Sequence, residues 1–199
     1  MPSGTALTCT FTNSRKSATL VVRKTWDNAQ VGNAAHRAVS EQVTRSAMTL
    51  VQAAPFSLGN DPLFLGCARF RPTLAANPED ASQCFPEAMH ALLGGDAFVT
   101  PPDPTAAEVE AALAHAGAHT SIVIGLFNAT VCAGQRALVA KAAGMGLPVC
   151  AVALRAPYDL RALPANVRAY AAYDYDARTM AVLAEVLAGS AAAEGALPV

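Results

Sequence analysis

The sequence predicts an α/β fold, a three-layer αβα sandwich with a mostly parallel sheet of about six strands, of the flavodoxin-like kind. Two observations support it. Residues 122–127 and 149–154 are near-continuous apolar runs, and a strand needs apolar groups on both faces only when both faces of its sheet are covered. A helical stretch within 130–146 separates them. Together they form one βαβ unit, the usual connection between parallel strands.

The strands of the prediction are short apolar runs bounded by Pro, Gly, Asn or Asp, which is the pattern of buried strands between turns. They alternate with helical patterns along the chain, as in doubly wound sheets. The predicted strands are 48–51, 63–70, 97–99, 122–127, 149–154 and 168–173.

The helices of the prediction are defined by their ends. Asn, Thr or Asp at the capping position begins three of them, Pro in the first turn begins another, and Gly follows two of the predicted ends. The predicted helices are 34–46 (cap Asn33), 86–93, 106–116 (cap Thr105), one within 130–146, and 177–187 (cap Asp176).

The chain of 199 residues divides by composition at about residue 30. Residues 1–30 are polar, with one short apolar run at 18–22, and we interpret them as an N-terminal arm whose order the pattern leaves open. Residues 31–199 have the length and the apolar content of one folded domain.

Composition excludes several functions. The chain is 53% hydrophobic and 15% charged with a net charge of −1, so it lacks the basic surface of a nucleic-acid-binding protein. It has no apolar run long enough to span a membrane and no secretory signal. We therefore expect no nucleic-acid partner, no membrane association and a cytoplasmic location.

Metal and cofactor sites are not expected. The five cysteines have no metal-ligand spacing, and we interpret Cys67 and Cys150 as small core side chains. Cys132 lies near a functional-looking turn, but no neighbouring His or carboxylate is placed to activate it. No glycine-rich loop links a strand to the start of a helix, so no phosphate-binding cofactor is expected.

Two further groups have structural and functional interpretations. His115 and His119 are spaced i, i+4, but they flank a helix end, so metal ligation there is a minor alternative. Asp174 and Asp176 follow a strand, and a pair of carboxyl groups is the machinery of a glycosidase. The favoured interpretation is a turn with Asp176 capping the last helix.

Candidate ligand-binding residues follow the two central strands, where open α/β sheets bind ligands. Asn128 comes directly after 122–127, and Arg155, Tyr158 and Asp159 follow 149–154. Each has a structural alternative: Asn128 closing its own turn, Arg155 pairing with Asp159, or Asp159 capping a short helix that begins at Leu160.

Several motifs in order resemble one known domain. They are VGNAAHR at 31–37, AMTLV at 47–51, IVIGLFNA at 122–129, GQRALV at 134–139, LPV at 147–149, RAPYDL at 155–160, RAYAAYDYDARTMAVLAEVLAGS at 168–190 and GALPV at 195–199. This series resembles the C-terminal domain of family 3 glycoside hydrolases, most closely the bacterial β-N-acetylglucosaminidase branch, over about residues 31–199. The resemblance implies a role in carbohydrate metabolism.

The resemblance also implies where catalysis takes place. Two-domain members of this family carry the nucleophilic Asp, and in this branch a His-Asp acid/base loop, on a (β/α)8 barrel that precedes this domain. This sequence has neither segment, and such a barrel needs about 200 residues or more. We therefore assign no catalytic residue to the chain, and we expect the remnant of a longer gene.

Three functional hypotheses follow. The first is a non-catalytic accessory domain that packs on a barrel-bearing protein or on a second copy and touches an amino sugar. The second is a component of a β-N-acetylglucosaminidase that is active only with a separate barrel chain. The third is a flavodoxin-like small-molecule binder with another ligand.

Overall fold

The computed structural model of the chain describes residues 33–68 and 84–197. The expected arm at 1–30, the end of the predicted strand 63–70 and the last two residues lie outside this part. The chain divides into two compact units, residues 1–41 and 42–199.

A six-stranded sheet forms the centre of the second unit. Its strands are β1 (Thr49–Gln52), β2 (Pro62–Cys67), β3 (Asp96–Thr100), β4 (Ser121–Leu126), β5 (Val149–Ala153) and β6 (Val167–Ala171). Their order across the sheet is β1-β6-β5-β4-β2-β3. All neighbours are parallel except β1, which pairs antiparallel with β6 at one edge. The predicted α/β class and mostly parallel sheet are confirmed.

Five helices accompany the strands: α1 (Ala34–Ala47), α2 (Phe85–Leu93), α3 (Ala106–Leu113), α4 (Ala133–Ala143) and α5 (Ala177–Leu187). Their predicted caps are confirmed. The Asn33 side chain accepts from the His36 N–H at 2.9 Å, Asp176 accepts from the Thr179 N–H, and Thr105 forms a capping box with Glu108. Hydrogen bonds from the Thr105 backbone and side chain lower the pKa of Glu108.

Both faces of the central strands are buried, as their apolar runs predict. Every residue of β2, β4 and β5 is buried. On one face the sheet packs against α3 and α4, and on the other against α2 and α5. This arrangement is the three-layer sandwich, with one hydrophobic core on each side of the sheet.

A glycine in β4 sets the distance between the sheet and α2. A Cβ atom placed on Gly125 would lie 2.4 Å from the Phe85 ring, and Phe85 is itself buried in the core beneath α2. The ring therefore occupies the space that any other residue at position 125 would fill.

None of the 14 residues of α1, all of them described, is buried. The Arg45 guanidinium donates to both carboxylate oxygens of Glu185 on α5, and this hydrogen bonding lowers the pKa of Glu185. The apolar spacing of 34–46 predicts the helix correctly, but Val43 is 62% exposed.

The two edges of the sheet differ. The first four residues of β3 are exposed, and no described strand pairs with its outer side. At the other edge, Gly195 forms an isolated bridge with Thr49, and its N–H donates to Met48 O at 2.8 Å. Over the part of the chain that the structure describes, no helix is long and apolar enough to cross a membrane.

We expect Gly125→Ala to lower the free energy of unfolding by about 1–3 kcal/mol, because the added methyl group overpacks the contact with Phe85. Denaturant unfolding measures the change. Gly117→Ala is the matched control, since a Cβ atom there meets nothing within 4 Å. Equal midpoints for the two variants would contradict this account of the packing.

Candidate functional site

The candidate site lies at the carboxyl ends of the parallel strands. The chain passes from β2 to β3 on one side and then returns to β4 on the other side of β2. The crevice between β2 and β4 is therefore the topological switch point, where sheets of this kind bind ligands. Residues 101–105, 127–132, 154–160 and 172–176 form described loops at this edge.

Asn128 begins the loop after β4 in a left-handed conformation, with φ of 58°. Its carbonyl oxygen accepts hydrogen bonds from the N–H groups of Val131, at 3.0 Å, and Cys132, at 3.1 Å. Asn tolerates this conformation better than most residues. The backbone of Asn128 thus closes the turn, while its side chain is half-buried.

Asp159 joins this loop to the loop after β5. It lies in the 3₁₀ turn Pro157–Leu160 and is only 1% exposed. Its Oδ1 accepts from the Thr130 N–H at 2.9 Å, whereas its buried Oδ2 has no hydrogen-bond partner among the described residues. Because the turn has Ala156 at its cap, the alternative that Asp159 caps a helix starting at Leu160 is wrong.

Arg155 and Tyr158 lie at the surface beside Asp159. Arg155 is exposed, and Tyr158 is 61% exposed with the Arg161 guanidinium 5.0 Å from its ring centroid. Of the four predicted ligand-binding residues, the structure thus connects the Asn128 loop to Asp159 and leaves Arg155 and Tyr158 at the solvent-facing rim.

Gln135, in the first turn of α4, fastens two of these loops. It is only 2% exposed. Its Oε1 accepts from the Phe127 N–H at 2.9 Å, and its Nε2 donates to Phe127 O at 2.9 Å and Pro102 O at 2.6 Å. In the sequence, this role is indicated by a single polar residue, Gln135, at helical spacing from the apolar residues Leu138 and Ala142 on the buried side of α4.

The two neighbours of Gln135 also form hydrogen bonds to the loops. The Gly134 N–H donates to Asp103 Oδ1 at 2.6 Å, and a Cβ atom at Gly134 would lie 2.0 Å from Pro104 O. The Arg136 guanidinium donates to the carbonyl oxygen of Ala129. Gly134, Gln135 and Arg136 therefore each bind a loop at the carboxyl edge of the sheet.

An apolar pocket opens on the other side of the same edge, towards α2 and α5. Its lining residues are Cys67, Cys84, Phe85, Ala88, Phe127, Leu154, Tyr175 and Met180. The rings of Phe127 and Tyr175 meet edge to face, with centroids 5.2 Å apart. Phe127 thus contributes its backbone to the loop network and its ring to this pocket.

The pKa values of three cysteines, at this edge or in the core of the sheet, are raised. Burial raises the pKa of Cys67 to about 11 and strongly raises that of Cys150. For Cys132, burial and then the negative charges of Asp103 and Asp159 raise the pKa. Cys67 and Cys150 lie in the core as predicted. An activated nucleophile would need the opposite shift.

The predicted histidine and aspartate alternatives have structural roles. His119 is buried at the opposite, amino-terminal edge, with Nδ1 3.3 Å from Asp61 Oδ2 and Nε2 3.7 Å from Asp96 Oδ2. His115 is exposed. Within residues 33–68 and 84–197, no three His, Cys, Asp or Glu side chains are grouped to hold a metal ion. Asp176 caps α5.

We expect Gln135→Leu to lower the free energy of unfolding by about 3 kcal/mol, because it leaves the Phe127 N–H and the Pro102 carbonyl without their buried partner. Chemical denaturation measures the loss. Lys141→Leu on the same helix is the control, since its exposed pair with Glu110 is worth less than about 1 kcal/mol. Similar losses in both variants would refute a special role for Gln135.

No protein-family model and no curated protein sequence matches the chain. Solved structures do match it. A family 3 β-N-acetylglucosaminidase from a Paenibacillus species is 22% identical with a TM-score of 0.69, over 92% of this chain and 35% of that one. A fungal multi-domain family 3 β-N-acetylglucosaminidase is 16% identical with a TM-score of 0.59, over 84% of this chain and 19% of that one.

A β-glucosidase from Listeria innocua, in complex with isofagomine, also matches, with 13% identity and a TM-score of 0.59, over 83% of this chain and 27% of that one. The chain thus spans about a third or less of each of these structures. At such identities the likeness shows the fold. The resemblance predicted from the sequence is confirmed at the level of one domain of family 3 glycoside hydrolases.

Proposed function

We propose that the chain is a non-catalytic accessory domain of the family 3 glycosidase type, which packs against a barrel-bearing protein. One observation carries this proposal: 92% of the chain superposes on 35% of a family 3 enzyme. The chain therefore corresponds to one part of a larger catalytic assembly. A second copy of the chain is the alternative partner.

The use of carboxylates at the carboxyl edge supports a non-catalytic role. A retaining glycosidase presents two carboxyl groups about 5 Å apart to one sugar. Here Asp103, Asp159 and Asp176 each accept a hydrogen bond from a backbone N–H, of Gly134, Thr130 and Thr179 respectively. These carboxylates hold loops and a helix end, so we assign none of them to such a catalytic pair.

Exposed apolar side chains support this edge as the packing surface. Val131 is 79% exposed on the loop after β4, and Tyr158 is 61% exposed on the loop after β5. Side chains of this kind at a loop rim are typical of protein interfaces. We place the barrel-bearing partner on this rim.

A second, narrower proposal concerns the activity of the assembly. It rests on the motifs at 122–129, 134–139 and 155–160, which resemble those of the β-N-acetylglucosaminidase branch. The chain would then be a component of a β-N-acetylglucosaminidase that is active only with a barrel.

Within that assembly, Asn128, Arg155, Tyr158 and Asp159 would contact an amino sugar. The buried Oδ2 of Asp159, which has no hydrogen-bond partner among the described residues, is an acceptor for a hydroxyl or amide N–H. The exposed ring of Tyr158 offers a flat apolar surface. Arg155 supplies hydrogen-bond donors at the rim.

We expect the purified chain to release no nitrophenol from 4-nitrophenyl N-acetyl-β-glucosaminide, and to co-elute with the barrel domain of a family 3 β-N-acetylglucosaminidase in size-exclusion chromatography. Val131→Asp should abolish co-elution by placing a charge in the interface. Leu92→Asp, on the exposed side of α2, is the control. Nitrophenol release by the chain alone would overturn the non-catalytic proposal.

We expect N-acetylglucosamine to raise the Tm of the chain, because a ligand at 100 times its Kd stabilises the native state by about 2.7 kcal/mol. Tyr158→Ala and Asp159→Asn should each shrink the shift, whereas Leu92→Ala should leave it unchanged. A thermal-shift titration measures this. Equal shifts in all four proteins would remove these residues from a sugar site, and no shift in any would show that the chain alone does not bind the sugar.

A further inference from the structure

The outer edge of β3 is open. The strand pairs with β2 on one side, and no described strand pairs with its other side. A strand in this position presents a row of unpaired N–H and C=O groups that another strand can use. The edge lies on the far side of β2 from the loops after β4 and β5, which carry the proposed sugar and barrel contacts.

Apolar side chains accompany this edge on both faces of the sheet. Phe98 is 39% exposed and Val99 is 40% exposed, and successive residues of a strand point to opposite faces. The helices that cover the two faces therefore leave one apolar side chain partly uncovered on each. Open backbone with apolar side chains beside it is the surface on which strands of another chain pair.

β3 lacks most of the features that keep edge strands apart. Between Gly95 and Pro101 it contains no Lys and no Pro, and its register with β2 has no bulge over all five residues. Its single charge, on Asp96, lies at the first position. The strand is as long as β5 and β6, which both pair on two sides. The edge is therefore able to pair, and little in it opposes pairing.

The sequence of β3 is complementary to itself in one register. When an antiparallel copy is related by a two-fold axis at Phe98, all five residues have a partner. Phe98 then lies opposite the Phe98 of the second copy, Ala97 opposite Val99, and Asp96 opposite Thr100. Apolar residues meet apolar residues, and the two carboxylates lie at opposite ends, whereas like charges directly opposite each other would destabilise the pair.

We propose that the outer edge of β3 is an interaction surface for a second copy of the chain. The two β3 strands pair antiparallel about a two-fold axis at Phe98, and the sheets of the two copies join into one. The interface is isologous, because each copy contributes the same patch. This property goes beyond the proposed function, since it uses neither the loop after β4 nor the loop after β5.

The size of the contact sets its strength. Stable interfaces use about 20–30 residues of each partner, and β3 supplies five. We therefore expect a pair that forms at high protein concentration and dissociates on dilution.

The test measures the mass of the full chain by sedimentation over a dilution series. The mass should fall from that of two chains to that of one. Hydrogen exchange over the same series should show that the amides of β3 are more protected in the pair, whereas those in the loops after β4 and β5 are unchanged. This measurement uses the wild-type chain, so it does not depend on how a variant folds.

Two double variants test the register. Ala97→Lys with Val99→Glu brings opposite charges face to face across the pair and should retain it. Ala97→Lys with Val99→Lys brings like charges face to face and should abolish it. Both positions are exposed, so the two variants should have similar unfolding midpoints.

Three results would overturn the proposal. A single-chain mass at every concentration would show that β3 does not pair with a copy of itself and is open only to a strand of another protein. A doubled mass with protection in the loops after β4 or β5, and none in β3, would move the contact elsewhere. Equal behaviour of the two double variants would reject the two-fold axis at Phe98.

Discussion

Burial of the sheet on both faces is the constraint on which the rest of the structure depends. With every residue of β2, β4 and β5 buried, polar side chains that bind or react can lie only where the strands end. Close packing of the helices then requires residues without bulk at the crossing points, as at Gly125 beneath Phe85. Chemical variety in this fold is therefore concentrated at its edges.

The carboxyl edge is divided by the sheet into two environments. Towards α3 and α4 it is a polar network in which Gln135 and Asp159 hold the loops. Towards α2 and α5 it is an apolar pocket with two thiols. Phe127 belongs to both, through its backbone and its ring. A movement of the loop after β4 would thus change both the hydrogen bonds of the polar network and the lining of the apolar pocket.

Most of the fold can be predicted from local sequence patterns, because buried strands, helix caps and glycines at helix ends each depend on residues that are neighbours in the sequence. Asp176 and Thr105 cap their helices as predicted. The site is harder, since its contacts join distant parts of the chain: Asp159 reaches Thr130, and His119 is buried between Asp61 and Asp96. No local sequence pattern predicts contacts between residues so far apart in the chain. Whether the four predicted residues bind a ligand stays a prediction.

The unequal edges of the sheet limit how it can grow. On the β1 side, Gly195 already occupies a backbone position next to Thr49, whereas β3 offers its outer N–H and C=O groups to no described strand. Gly195 covers the β1 edge only at Thr49. Pairing of two copies through β3 would use up that edge in both molecules, so this contact by itself ends at a pair.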